Sequence, residues 1–295
     1  MLPRDLGDGD RTPEHTYPVI VGVDGSFAAI HAARWAAAIA ERFEAPLEIV
    51  HAVADRPAAD SAVRRQSAEA ILQSAKQAVR VHFKGLPIAV IRVDGSPGQA
   101  LIESSHAARL IVLGTDEASS GTVALGGSTT EAVAAYSVCP VVAWRGDVIS
   151  PTRQPIAVGV DHDQGSRVAI TAAFEFADHL GVGILAVHAW TTSRPLGDVT
   201  LRSRILWAQV ESDAQQHLSE SLLPWIDLYP NVDVAEIVEP DKPDRALLRS
   251  AQGAQIQVVG SRASGLVARL GSIGLELLHH ATIPVMFCHS SDEQG

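Results

Sequence analysis

Two stretches carry the same message: YPVIVGVD at residues 17–24 and QPIAVGVD at residues 154–161. Each is a short apolar run closed by Gly-Val-Asp, the pattern of a buried strand entering a polar turn. The likeness extends outward. EIVHAV (48–53) returns as LAVHAW (185–190), so Asp24 precedes His51 by 27 residues and Asp161 precedes His188 by 27. LIVLGT (110–115) returns as IQVVGS (256–261), and Gly127 precedes Pro140 by 13 residues, as Gly271 precedes Pro284. Four landmarks repeated in one order make the chain two copies of one unit. The expected organisation is a disordered tail (1–16), a first domain (17–146), a linker (147–153) and a second domain (154–290).

Strand and helix patterns alternate within each copy. In the first, strands are expected near 19–24, 47–53, 87–93, 110–114 and 140–144, with helices over 27–43, 60–83, 99–107 and 128–136. In the second, strands fall near 156–161, 183–188, 232–238, 256–260 and 284–288. Such alternation means parallel strands with right-handed crossovers. The expected fold class is α/β: two tandem, doubly wound, open parallel sheets of five strands each, Rossmann-like. Ligands of such sheets bind beyond the carboxyl ends of the strands, where the strand order reverses. The last strands, PVVAW and PVMFC, are apolar edges that invite pairing, half with half or chain with chain. A compact pseudo-symmetric pair that dimerises further is the expectation.

Composition narrows the function. Apolar residues make up 46 % of 295 and charged residues 19 %, enough for a large core. The formal charge of −11 disfavours nucleic acid and anionic membranes as partners. No apolar run reaches the roughly 18–20 residues of a membrane span. Two cysteines, Cys139 and Cys288, form no CxxC and fit a disulfide-free cytoplasmic protein. HExxH, GxSxG and the Walker Gly-Lys-Ser/Thr are all missing from the sequence. His51 and His188, at matched strand positions, suit hydrogen-bonded structural histidines.

Three features converge on the carboxyl rim of the first copy. VGVDGS (21–26) puts Gly22 and Asp24 at a strand end, Gly25 in a tight turn and Ser26 as a helix cap. Gly114 ends the fourth strand, where a glycine admits close approach of a ligand. Gly127, Ser128 and Thr129 open a helix whose free N–H groups favour an anion. The counterparts in the second copy are Gly159, Asp161, Gly260, Ser261, Arg262, Gly271, Ser272 and Ile273. An ordinary turn and ordinary caps explain any one of these; their joint recurrence favours a binding site.

VGVDGS, a VHAV second strand, LIVLG and a loop ending in Gly-Ser before CPVV resemble the universal stress protein family, here in tandem over about 17–146 and 154–290. The resemblance implies a nucleotide site in which G-x2-G-x9-G-S/T after the fourth strand wraps the phosphates and ribose of ATP. It also places the first-strand Asp beside the nucleotide and adenine on the backbone after the second strand. This chain departs from that pattern twice. In the first half the middle glycine becomes Glu117, preceded by Asp116. Each like-charge contact with phosphate at about 4 Å costs about 1 kcal/mol in bulk water and about 4 kcal/mol near a protein surface, unless the side chains face solvent or Mg²⁺ intervenes. In the second half Ala263 replaces that glycine, Gly271 arrives two residues early, Arg262 and Arg269 add positive charge, and His162-Asp163 stand where Gly25-Ser26 do. The leading expectation is a non-enzymatic, homodimeric ATP-binding stress-response protein that acts on its partners through its nucleotide-bound state. A nucleotide-free tandem interaction module is the alternative. Slow ATP hydrolysis, with Asp24 and Asp161 as the candidate groups, is a third.

Overall fold

In a computed structural model of the chain, residues 17–53, 61–115, 129–161, 163–190, 201–261 and 270–289 are described. The tail and the Gly127-Ser128 loop lie outside these, as does Arg262. The first half runs β1 (Val19–Gly22), α1 (Phe27–Arg42), β2 (Leu47–Val53), α2 (Ser61–Arg80), β3 (Ile88–Asp94), α3 (Pro97–Ser104), β4 (Leu110–Gly114), α4 (Thr129–Tyr136) and β5 (Val141–Trp144). The second half repeats it: β6 (Ile156–Gly159), α5 (Gln164–Leu180), β7 (Ile184–Ala189), α6 (Leu201–Leu228), β8 (Val234–Glu239), α7 (Pro243–Ser250), β9 (Ile256–Ser261), α8 (Gly271–His280) and β10 (Val285–His289). The alternation expected from the sequence is present in both halves.

The two five-stranded sheets are one ten-stranded sheet of order β3-β2-β1-β4-β5-β10-β9-β6-β7-β8. All neighbours are parallel except β5 and β10, which pair antiparallel through Val141↔Phe287, Val142↔Met286 and Ala143↔Val285. The apolar edges therefore meet within one chain. Period-two alternation along the strands divides the core between two faces. Val19, Val21, Val158 and Met286 face α1, α2, α5 and α6, whereas Ile20, Ile111, Val259 and Phe287 face α3, α4, α7 and α8. Helix α1 buries Ala28, Ala29, Ala32, Ala33 and Ala36–Ala40, so small side chains let it lie close on the sheet. The exposed outer strands β3 and β8 carry Arg92, Asp94, Glu236 and Glu239, charges that discourage further pairing. Leu222 of α6 is fully buried, and the Trp225 indole ties α6 to α5 by donating to Thr171 Oγ1 at 3.0 Å.

Side chains also cross the junction. Arg109, just before β4, bonds Glu175 of α5 and lies 4.4 Å over the Phe43 ring, which in turn stacks on His179 at 4.2 Å. Cys139 and Cys288 are both free and lie on opposite faces of the sheet, so they are not placed to form a disulfide. Burial pushes each thiol up to about 12, which keeps it protonated and inert.

His289 closes β10 with both ring nitrogens buried and short of full hydrogen-bond geometry with the described groups. Burial, the larger effect, pushes its imidazole below the ordinary 6.5, against the Ala134 carbonyl, which pulls the other way. The folded state thus holds the neutral ring, while the unfolded chain gains a proton once the pH falls below about 6.5. The unfolded state then binds more protons, and stability falls with acidification through that range. Thermal melts between about pH 7.5 and 5.5 are expected to show a steeper loss in the wild type than in His289→Leu; equal slopes would contradict this account.

Candidate functional site

Strand order reverses between β1 and β4 in the first half and between β6 and β9 in the second. The site residues gather at these two points. In the first half Gly22 ends β1, paired with Leu113, and Gly114 ends β4 beside it; Asp24 follows β1 and Thr129 opens α4. In the second half Gly159 ends β6, Gly260 and Ser261 end β9, Asp161 follows β6, and Gly271, Ser272 and Ile273 open α8.

The turns after β1 and β6 differ in residues but reach the same end. Gly25 adopts φ 87°, as the tight turn requires. Asp24 Oδ1 accepts from the Ser26 amide at 2.8 Å, and Ser26 Oγ caps α1 by accepting from Ala29 at 3.1 Å. In the second half Asp163 takes the cap, accepting from the Ser166 amide at 2.6 Å, while the buried Ser166 hydroxyl accepts from the Asp161 amide at 2.9 Å. The exchange of Gly25-Ser26 for His162-Asp163 therefore preserves the helix start. Behind each turn a histidine donates Nδ1–H to a strand-exit carbonyl: His51 to Val23 at 2.6 Å and His188 to Val160 at 2.8 Å. Both rings are half-buried, and each holds its turn in register.

Gly114 and Gly260 have a reason the sequence reading missed. A Cβ on Gly114 would lie 2.5 Å from the Ala28 carbonyl carbon and oxygen, and one on Gly260 would lie 2.1 Å from the Gly165 oxygen. The first turn of α1, or of α5, occupies the space a side chain would take. These glycines are required for close helix–strand packing, whether or not a ligand comes near.

The second half holds a cavity of about 470 Å³ at its carboxyl rim. Gly159, Asp161, Gly260, Gly271, Ser272 and Ile273 line it, all read from the sequence as site residues. Sequence reasoning did not single out Val187 and Ala189 of β7, Pro243 and Leu247 of α7, or Ser166 and Leu270. The paired openings Ser96-Pro97 and Lys242-Pro243, each starting a short helix, carry a signal for α7. Fully buried Gln257 donates to the Leu247 carbonyl and holds α7 against β9. One wall of the cavity is thus apolar. Another is the start of α8, where Leu270 stands at the cap position, no side chain among the described residues caps the helix and no acidic residue sits in the first turn. By contrast α4 carries Glu131 in its first turn. Among the described lining residues the charges are Asp161 and Asp163, with no Lys or Arg. A larger polar cavity, about 730 Å³, lies beside the amino ends of β6–β8 and the end of α1, lined by Arg42, Arg153 and Asp233. It lies at the amino ends of these strands, not at their carboxyl rim. No helix among the described residues is long and apolar enough to cross a membrane.

If packing dictates the two strand-end glycines, Gly114→Ala and Gly260→Ala should each lower stability by about 1–3 kcal/mol or more, read by urea unfolding. Unchanged stability would return these glycines to a role in ligand approach.

The geometry has relatives. The Universal stress protein family model matches residues 16–145 and 152–289. A universal stress protein of Mycobacterium tuberculosis is 31 % identical over 301 residues, covering 95 % of this chain and 99 % of its own. A second from the same organism is 32 % identical over 297 residues, covering 92 % and 96 %. Among solved structures, a universal stress protein from Archaeoglobus fulgidus aligns with TM-score 0.69 at 18 % identity, over 94 % of this chain and 99 % of that one. A universal stress protein crystallised in complex with cAMP is 29 % identical and covers 43 % of this chain and 94 % of its own, with TM-score 0.36. The chain belongs to the universal stress protein family, carrying its domain twice.

Proposed function

We propose that the second half binds an adenine nucleotide, ATP with Mg²⁺, and that the protein serves the stress response through this bound state and not through turnover. The observation that carries the reading is the 470 Å³ cavity with an apolar wall opposite a helix start that no described side chain caps. A base suits the apolar side, between Ala189 and Leu247. Phosphates suit the amides of Gly271, Ser272 and Ile273, where the helix dipole adds positive potential. Asp161 and Asp163 would repel bare phosphate; they are the residues that would hold Mg²⁺, which would supply the positive charge that offsets this repulsion. In the sequence Arg262 and Arg269 fall between Ser261 and Leu270.

The first half is the weaker candidate. Glu131 puts acid in the first turn of α4, and the sequence adds Asp116 and Glu117 to the preceding loop. These residues favour the second reading, a nucleotide-free interaction module, for that half. We assign the two units to 17–146 and 154–290, with 147–153 as the link and 1–16 as the tail. We place the protein in the cytoplasm as a homodimer that meets protein partners. Its dimer contact lies away from β5 and β10, which are already paired within the chain.

Calorimetric titration with ATP and Mg²⁺ tests the site. One equivalent per chain is expected, and Ser272→Asp, which sets a negative charge at the start of α8, should weaken binding about tenfold or more. Absence of heat at high protein concentration, or an unchanged affinity in Ser272→Asp, would contradict the reading. Phosphate release should remain at background in the wild type and in the Asp24→Asn, Asp161→Asn double variant.

A further inference from the structure

Arg145 follows β5 and belongs to the first half, yet its guanidinium is buried against the second. It donates to the Ala281 carbonyl at 2.7 Å and to the Leu278 carbonyl. Both acceptors lie at the carboxyl end of α8. The last carbonyls of a helix have no partners within it, and a cation there also meets the negative end of the dipole. The opposite end of α8 is Gly271–Ile273, the wall of the second cavity. At about 1.5 Å per residue the helix is a rod roughly 15 Å long, so fixing one end sets the position of the other.

The repeat shows what is unequal about this contact. Arg145 stands five residues after Pro140, and His289 stands five after Pro284. Leu278 stands six before Pro284, and Ala134 six before Pro140. His289 therefore faces Ala134 of α4 as Arg145 faces Leu278 of α8, and the Ala134 carbonyl acts on its ring, but short of the full hydrogen-bond geometry that Arg145 reaches. One half grips the last helix of the other with two donors, and the return contact is the weaker.

We infer that Arg145 is a positioning residue through which the first half sets the second cavity: it fixes the carboxyl end of α8 and so holds the helix start against the bound ligand. The coupling runs from the first half to the second. The inference concerns the same cavity and rests on the adenine-nucleotide reading for its effect on affinity, but not for its effect on α8 itself.

Hydrogen exchange of the full-length, ligand-free protein, read over the α8 peptide, tests the grip without any nucleotide. Arg145→Met removes the donors and the charge at similar volume. It leaves buried carbonyls unmet, so exchange in α8 should rise about tenfold or more. Arg109→Met is the control, since it breaks another contact between the halves without touching α8. It should leave α8 exchange unchanged, and so should His289→Leu leave exchange in α4. Arg145→Lys keeps the charge and should restore part of the protection. Calorimetry with ATP and Mg²⁺ then asks whether affinity follows: several-fold weaker in Arg145→Met, near wild type in Arg109→Met. Equal exchange in Arg145→Met and wild type, or equal loss in both Met variants, overturns the inference. If the wild type takes up no nucleotide but α8 still loosens in Arg145→Met, the nucleotide reading fails and the grip stands.

Discussion

The antiparallel pairing of β5 with β10 is the contact on which the rest of the molecule depends. Each strand is apolar, short and last in its half, and each would otherwise expose a row of unmet backbone groups. Paired through Val142 and Met286, they turn two open sheets into one whose edges, among the described residues, are the charged strands β3 and β8. The antiparallel sense has a second consequence. The strands of the two halves run in opposite directions, so their carboxyl rims lie on opposite edges of the sheet. Each half can then carry its own site, while the last helix of one half reaches the last strand of the other.

At each rim the backbone is held from several sides. A histidine on the second strand fixes the carbonyl leaving the first, a cap fixes the start of the following helix, and a glycine on the fourth strand lets that helix sit against the sheet. This frame is alike in both halves even where the residues differ, as Asp163 in place of Ser26 shows. The difference between the halves lies in what faces a ligand. Helix α8 starts after Leu270 without a side-chain cap from that residue and without acid in its first turn, whereas α4 carries Glu131 in its first turn.

Much of this was legible in the sequence because it is local and repeated. The Gly-Val-Asp strand ends, the positive φ at Gly25 and the apolar last strands are properties of a few neighbouring residues, and duplication doubles each signal. Six of the residues lining the second cavity were legible for that reason. What stayed hidden is long-range or individual. Nothing near Arg145 in the chain points to carbonyls more than 130 residues away. Ser166 looks like any helix residue until its hydroxyl meets the Asp161 amide. Gly114 and Gly260 were legible as important, but for a reason that the neighbouring helix, not a ligand, supplies.

Photoaffinity labelling with 8-azido-ATP and Mg²⁺, followed by peptide mapping, addresses the central claim most directly because it reports where a nucleotide base sits as well as whether it binds. The account predicts label within the β7 and α7 segments around Ala189 and Leu247, protected by excess ATP. Label that excess ATP does not displace, or label concentrated away from the rim of the second half, would contradict it.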